Sequence, residues 1–161
     1  MKPATPEKQE NLVKKYAMQT MYGRIFDRLD QLTGGIVEFA QGEHQHLKIE
    51  NMGFMPLSIE CIGLNRIAMA HNYIMNGDVV PDPDMEILIH PGTFMAESLT
   101  YQDAFGYLEV YANGERTKYY PDRKTKLNSF LDIWTKNIRD QSFIKLAEEL
   151  RANADGRNET K

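Results

Sequence analysis

The chain has 161 residues, of which 42% are hydrophobic, 10% aromatic and 26% charged, and its formal net charge is -4. This composition excludes wholesale disorder, and the acidic balance excludes a globally basic nucleic-acid binder. No apolar run approaches the roughly 20 residues of a membrane span, and a single cysteine, Cys61, excludes an intrachain disulfide. Residues 1–10 lack the apolar stretch of a secretory signal, so we expect a soluble intracellular protein.

The first predicted element is helical and covers residues 6–33. Thr5 can cap a helix with its side-chain oxygen, and Pro6 suits the first helical position. Apolar residues recur at spacings of three and four, as on one helix face: Leu12, Val13, Tyr16, Ala17, Met18, Tyr22, Ile25, Leu29 and Leu32. The segment ends at Thr33-Gly34-Gly35. Gly23 leaves open whether it is one helix or two abutting ones.

From Glu43 the apolar period changes to two, which predicts strands. Leu47 and Ile49 alternate with polar residues, and the run from Met55 to Cys61 has one polar face. The run from Ile67 to Met75 is apolar on nearly both faces and predicts a central strand covered on both sides. A turn is predicted at Asn76-Gly77-Asp78.

Two prolines follow this turn. Pro81 and Pro83 lack amide donors, so an extended connection without regular pairing is predicted through Val79–Asp84. Shorter strands are predicted at Met85–His90, Met95–Gln102 and Gly106–Ala112.

The helical period returns after Pro121. Its apolar stripe consists of Leu127, Phe130, Leu131, Trp134 and Ile138, and a second amphipathic helix contains Phe143, Ala147 and Leu150. We expect residues 152–161 to form a frayed tail. The order of elements predicts one α+β domain over residues 1–151, with a mostly antiparallel five- to six-stranded sheet packed by an N-terminal helix and C-terminal helices.

The middle of the chain is acidic. No Lys or Arg lies between Arg66 and Arg116, whereas eight acids do: Asp78, Asp82, Asp84, Glu86, Glu97, Asp103, Glu109 and Glu115. If several of these share a face, they create negative potential that attracts basic partners. Cations of the terminal helices neutralise them in the alternative interpretation.

Within this stretch, one candidate acidic site combines an imidazole with carboxylates: His71, Asp78, Asp82, Asp84 and Glu86. Such groups can bind a divalent cation, although the spacing does not match a calcium-binding EF-hand loop. In the alternative interpretation the Asp side chains cap turns and His71 is a core histidine with a hydrogen bond. The sequence leaves the metal unknown.

A second candidate surface is basic and aromatic. It consists of Arg116, Lys118, Tyr119, Tyr120, Arg123, Lys124 and Lys126. Cations interleaved with aromatic rings can hold a phosphate backbone and stack bases. The alternative is a solvated loop that leads into the next helix.

Two stretches carry a family resemblance. Ala70, His71, Tyr73, Asn76-Gly77-Asp78 and Asp82-Pro83-Asp84-Met85 match one motif, and Leu127, Asn128, Phe130, Trp134, Asn137 and Ile138 match a closing helix. Together they resemble an uncharacterised bacterial family, a domain of unknown function found on conjugative and other mobile elements, over roughly residues 50 to 143. Pro81 departs from this pattern, in which the position tends to be charged. The resemblance implies a cytoplasmic accessory protein and assigns no reaction.

The sequence contains no glycine-rich phosphate loop, nucleophile elbow or zinc-protease motif. We therefore expect a non-catalytic binding protein without a cofactor, whose macromolecular partner is a protein in preference to nucleic acid and which does not bind a membrane. A homo-oligomer is compatible with this interpretation. The alternatives are a metal-dependent hydrolase that uses His71 with Asp78, Asp82 and Asp84, and an acidic mimic of nucleic acid.

Overall fold

The structure, a computed structural model, describes residues 2–43 and 45–159. The helices are α1 (Pro6–Met18), α2 (Met21–Thr33), α3 (Ile36–Phe39), α4 (Pro121–Asp140) and α5 (Phe143–Glu159). The strands are β1 (His46–Ile49), β2 (Leu57–Gly63), β3 (Arg66–Met75), β4 (Asp78–His90), β5 (Met95–Ser98), β6 (Thr100–Asp103) and β7 (Gly106–Glu109).

The strands form one antiparallel sheet, so the predicted α+β class is confirmed. Its order is β1-β2-β3-β4-β6-β7, and β5 also pairs with β4. In the described part of the chain the sheet has seven strands instead of five to six, because the strand predicted over Met95–Gln102 is divided at Leu99. The Leu99 amide donates to the Glu86 carbonyl (2.8 Å), and its own carbonyl accepts from Val110 (2.9 Å). Leu99 is thus bonded on one side to β4 and on the other to the residue that follows β7.

Helices α2, α4 and α5 cover one face of the sheet and bury the core there. Ile59, Met69 and Met85 are neighbours in register and are fully buried. They share one hydrophobic cluster with Leu29, Leu131 and Phe143 of the helices. Burial of each such side chain contributes about 1.5–3 kcal/mol. The opposite face of the sheet, called the open face below, carries the alternate residues of each strand.

The N-terminal segment forms two helices. The Thr20 side chain caps α2 by accepting a hydrogen bond from the Gly23 amide (3.0 Å). Only Ala17 of α1 is buried, whereas Leu12 and Tyr16 are 48% and 64% exposed. Apart from Ala17, the part of the predicted stripe that lies in α1 therefore does not face the core, and the helix layer that covers the sheet begins with α2.

The prediction of an unpaired connection through Val79–Asp84 is wrong, because β4 begins at Asp78 and pairs with β3 directly after the turn. Pro81 lies opposite Asn72. The backbone N–H of Asn72 donates to the Pro56 carbonyl (3.0 Å), so it points away from β4. This pair does not need the amide that proline lacks. Pro83 lies in a register shift, where a bulge adds one residue to β4.

The end of β3 also departs from the prediction of a strand covered on both sides. Ile74 and Met75 are 76% and 52% exposed, because the ribbon of β3 and β4 extends beyond the helix layer at its turn. Asn76 and Gly77 form this two-residue turn with φ values of 53° and 85°, as expected for an Asn-Gly hairpin.

The C-terminal helices bury the predicted residues Leu127, Leu131, Trp134 and Ile138. Of the expected frayed tail, residues 152–159 are helical, whereas residues 160 and 161 lie outside the described residues. Extending a helix that is already nucleated costs little per residue, even where the added residues are exposed. Among the described residues, no helix is long and apolar enough to cross a membrane.

Candidate functional site

The open face of the sheet presents a row of carboxylates. Glu60 of β2 lies beside Ala68 of β3, and Ala68 lies beside Glu86 of β4. Asp84 is two residues from Glu86 on the same strand, so its side chain is on the same face. The small side chain of Ala68 separates Glu60 from Glu86, and all three carboxylates therefore face the same region of solvent.

These carboxylates repel one another. Partial burial raises the pKa of Asp84, and the charges of Glu86 and Glu60 raise it further. Like charges close together disfavour ionisation, which is the direction observed. Within residues 2–43 and 45–159, ion pairs engage only one of the eight acids between Arg66 and Arg116, namely Glu97. Among the described residues, no lysine or arginine of the helices forms an ion pair with the row.

Glu97 lies at the end of the open face and is 8% exposed. Its carboxylate accepts hydrogen bonds from the hydroxyl of Tyr111 (2.8 Å), from Arg116 (3.2 Å) and from Nε2 of His90 (3.2 Å). Burial, followed by the hydrogen bond to Glu97 and its charge, raises the pKa of Tyr111 well above its ordinary value. Glu97 is thus a buried carboxylate whose partners compensate its desolvation.

A small cavity of about 150 Å³ lies above this network. Its polar wall includes Arg66, Glu86, Thr100, Tyr107, Glu109 and Arg116. Because this wall carries both cations and carboxylates, the cavity has no single charge preference. It connects the Glu97 network with the carboxylate row through Glu86.

A larger groove of about 770 Å³ lies at the opposite end of the open face. It runs between the ribbon of β3 and β4 and the segment that precedes β2. The lining residues are Lys48, Glu50, Gly53, Phe54, Met55, Pro56, Ser58, Asn72, Tyr73, Ile74 and Val79. Most of this wall is apolar, and Lys48 and Glu50 form an exposed ion pair at 3.7 Å.

His71 does not join the acidic residues with which the sequence associates it. It lies on the helix-covered face, where its ring is 5.5 Å from Trp134 and 5.6 Å from Phe143. Since a carbonyl can only accept, Nδ1 donates to the Met55 oxygen (3.1 Å). Burial lowers the pKa of His71, although backbone hydrogen bonds partly oppose this. These contacts agree with the interpretation of His71 as a core histidine.

The remaining residues of the candidate acidic site are also dispersed. Asp78 is exposed beside the hairpin turn, whereas Asp84 and Glu86 are on the open face, across the sheet from His71. The charge of Asp82 is one of the causes that raise the pKa of Tyr101 to about 12, after burial and a hydrogen bond to Asp103. In the part of the chain that the structure describes, no three His, Cys, Asp or Glu side chains are grouped to hold a metal ion.

The basic and aromatic surface is divided between different contacts. Arg116 is bonded to Glu97, as described above. Arg123 lies 4.1 Å from the ring centroid of Tyr120, and Lys124 lies 4.6 Å from that of Tyr119. One face of each tyrosine ring is thus already covered by a cation of the same segment. Lys118 and Lys126 are exposed.

Sequence reasoning missed Glu60, the Glu97 network and the groove. Glu60 lies outside the stretch without Lys or Arg, and only the sheet register brings it beside Glu86. The groove had a local signal, because Ile74 and Met75 directly precede an Asn-Gly turn. Apolar residues on both faces next to a hairpin turn indicate either a covered strand end or an exposed contact surface.

The fold and this site define an α+β protein whose antiparallel sheet has helices on one face and an acidic open face on the other. The chain belongs to a family described as a domain of unknown function, DUF6908, whose model matches residues 24–144. The stretch from residue 50 to 143 that carries the resemblance lies inside this match. No curated protein and no solved structure matches the chain significantly.

Proposed function

We propose that this protein is a non-catalytic binding protein that uses the open face of its sheet to bind a positively charged segment of a partner protein. The observation that carries the proposal is the row of Glu60, Asp84 and Glu86, whose carboxylates form no ion pair among the described residues. A Lys or Arg from a partner would supply the missing charge.

The electrostatics of Asp84 support this proposal. Its pKa is raised by burial and by its acidic neighbours, so the ionised row is unfavourable in the isolated protein. A bound cation would relieve this repulsion, because an opposite charge favours the ionised carboxylate. Binding should therefore be strongest at low ionic strength and at a pH at which Asp84 is ionised.

We include in the proposal that the protein acts in the bacterial cytoplasm as an accessory factor of a mobile element. The resemblance of residues 70–89 and 126–143 supports this context. The hydrolase alternative has less support, because His71 and Asp84 lie on opposite faces of the sheet. We retain a protein partner in preference to nucleic acid, since Tyr119 and Tyr120 already contact Lys124 and Arg123.

The proposal is tested by the fluorescence anisotropy of labelled decalysine, titrated with the protein at 50 and 500 mM NaCl. We expect saturable binding that weakens strongly at the higher salt concentration. The double variant Asp84→Asn/Glu86→Gln should bind about tenfold more weakly, equivalent to about 1.4 kcal/mol. It should also be more stable above the raised pKa of Asp84, and this gain should disappear as the pH falls below the ordinary value of 3.8.

The matched control is Glu148→Gln/Glu149→Gln, which changes the net charge equally at exposed positions of α5. This control should bind decalysine like the wild type. Equal weakening in both double variants would show that net charge alone attracts the peptide, and the proposal would then be wrong. A labelled DNA duplex is the third arm, and saturable binding to it without binding to decalysine would also overturn the proposal.

A further inference from the structure

The groove occupies the position into which β2 would continue. Leu57, the first residue of β2, pairs with His71, so the preceding residues would next lie along Tyr73 and Ile74. Instead the chain bends away, and Phe54 contacts Phe143 on the helix-covered side at 6.0 Å between ring centroids. A space about one strand wide therefore remains beside the end of β3.

The backbone of β3 faces this space with a donor and an acceptor. The backbone N–H of Asn72 points to the side of β3 on which β2 lies, since it donates to the Pro56 carbonyl. In a strand, alternate residues direct their backbone groups to the same side, so the N–H and C=O of Ile74 also point there. Among the described residues, neither group has a strand partner on that side.

The side chains beside this edge are apolar and exposed. Ile74 and Val79 are a cross-strand pair on the open face and are 76% and 68% exposed. Both line the groove, together with Met55, which is 41% exposed. Apolar side chains grouped at an unpaired strand edge are the features by which extended peptides are bound.

The groove is continuous with the carboxylate row. Ser58, in the groove wall, pairs with Ala70, and Ala70 pairs with Asp84. Two strand spacings, about 10 Å, therefore separate Ser58 from Asp84. One extended segment can span both regions, with its apolar residues in the groove and its Lys or Arg residues over the acids. The charge of the row thus complements the segment that enters the groove.

We propose that the groove binds an extended segment of the partner protein as an added β-strand, antiparallel to β3, which pairs with the N–H and C=O of Ile74. This inference rests on the proposed function, since the segment belongs to the same partner. It adds the conformation of the segment and the requirement for apolar side chains next to its basic residues.

The test uses a labelled, acetylated and amidated peptide of alternating threonine and valine with a lysine at each end. Anisotropy is measured in 500 mM NaCl, at which exposed charges are largely screened. We expect saturable binding to the wild-type protein. Ile74→Pro should weaken it about tenfold, because proline removes the amide that faces the groove. The absence of saturable binding by the wild type would overturn the inference.

The matched control uses two N-methylated peptides of the same sequence with the wild-type protein. N-methyl groups along the edge that pairs with β3 should weaken binding at least tenfold, whereas N-methyl groups along the opposite edge should leave binding unchanged. Equal weakening of both methylated peptides would contradict strand addition. This comparison also provides the test if Ile74→Pro fails to fold.

Two further outcomes separate the hypotheses. Asp84→Asn/Glu86→Gln should still bind the threonine-valine peptide in high salt. A wild type that binds this peptide but does not bind decalysine would overturn only the proposed function. A wild type that binds decalysine but does not bind the threonine-valine peptide would overturn only this inference. Sedimentation of the wild type is expected to give a monomer. A dimer that Ile74→Pro dissociates would identify a second copy of the chain as the occupant and would overturn the proposal of a separate partner.

Discussion

Asn128 of α4 fixes a helix to the sheet with two hydrogen bonds. Its side chain is fully buried, and its Oδ1 accepts from the amide of Ser98 in β5 (2.8 Å). Its Nδ2 donates to the Lys124 carbonyl one turn earlier in α4 (2.8 Å). The amide of Asn128 is thus satisfied on both sides, and the Ser98 partner is as fully buried as Asn128 itself, so this contact contributes to the position of α4 as well as to stability.

We expect Asn128→Ala to lower the free energy of unfolding by about 2 kcal/mol, because it leaves the buried amide of Ser98 without an acceptor. Urea unfolding followed by circular dichroism measures this loss. Asn137→Ala is the matched control, since Asn137 is exposed on the same helix. A loss no larger than that of the control would show that the two hydrogen bonds of Asn128 contribute nothing measurable.

At the scale of elements, the junction of α1 and α2 depends on one glycine. The backbone of Ala17 passes so close to Gly23 that an added Cβ would lie 1.9 Å from the Ala17 oxygen. The amide of Gly23 is also the donor that caps α2 through Thr20. The sequence signals a break at this position, but only the structure shows that Gly23 is required by close approach and not by its backbone conformation.

Gly23→Ala should therefore destabilise the protein by about 1–3 kcal/mol, as overpacking does. Thermal unfolding monitored by circular dichroism provides the measurement. At Gly156 of α5, the same substitution adds a Cβ that meets no described atom within 4 Å outside the backbone of its own helix, and it should stabilise the protein by up to about 1 kcal/mol. Opposite signs are expected for the two variants, and a neutral Gly23→Ala would contradict the close approach.

At the scale of the whole molecule, His71 lies where the sheet meets helices α4 and α5. Its ring contacts Trp134 and Phe143, and its pKa is lowered mainly by burial. Above pH 6.5 the imidazole is neutral in both the folded and the unfolded states. As the pH falls below 6.5, the unfolded chain takes up the proton first, so acidification favours unfolding.

We expect the urea midpoint of the wild type to decrease between pH 7.5 and 5, and His71→Phe to show a smaller decrease. Phenylalanine retains an aromatic ring at the interface but cannot be protonated. It loses the hydrogen bond to the Met55 carbonyl, which costs about 1 kcal/mol at every pH. His46→Phe, at an exposed position of β1, should keep the slope of the wild type. Identical slopes for the wild type and His71→Phe would refute this role of His71.

The sequence by itself determined the α+β class, the two helical regions and the antiparallel strands between them, because these follow from local apolar periods, caps and turn residues. Thr5, Gly34 and Asn76-Gly77 each act within a few residues of the chain. Pro81 shows the limit of such local reasoning. Its missing N–H prevents pairing on only one side of the strand. In the observed register that side of Pro81 faces away from β3, so the pairing with β3 is unaffected.

Only the tertiary structure decided which side chains share a face. Glu60 and Glu86 are distant in sequence and became neighbours through two strand pairings, whereas His71 and Asp84 are closer in sequence and lie on opposite faces of the sheet. The groove likewise depends on where the chain before β2 bends away from β3. The physical reason is that a strand alternates its side chains between two faces, so a shift of one residue in register reverses the face of every side chain.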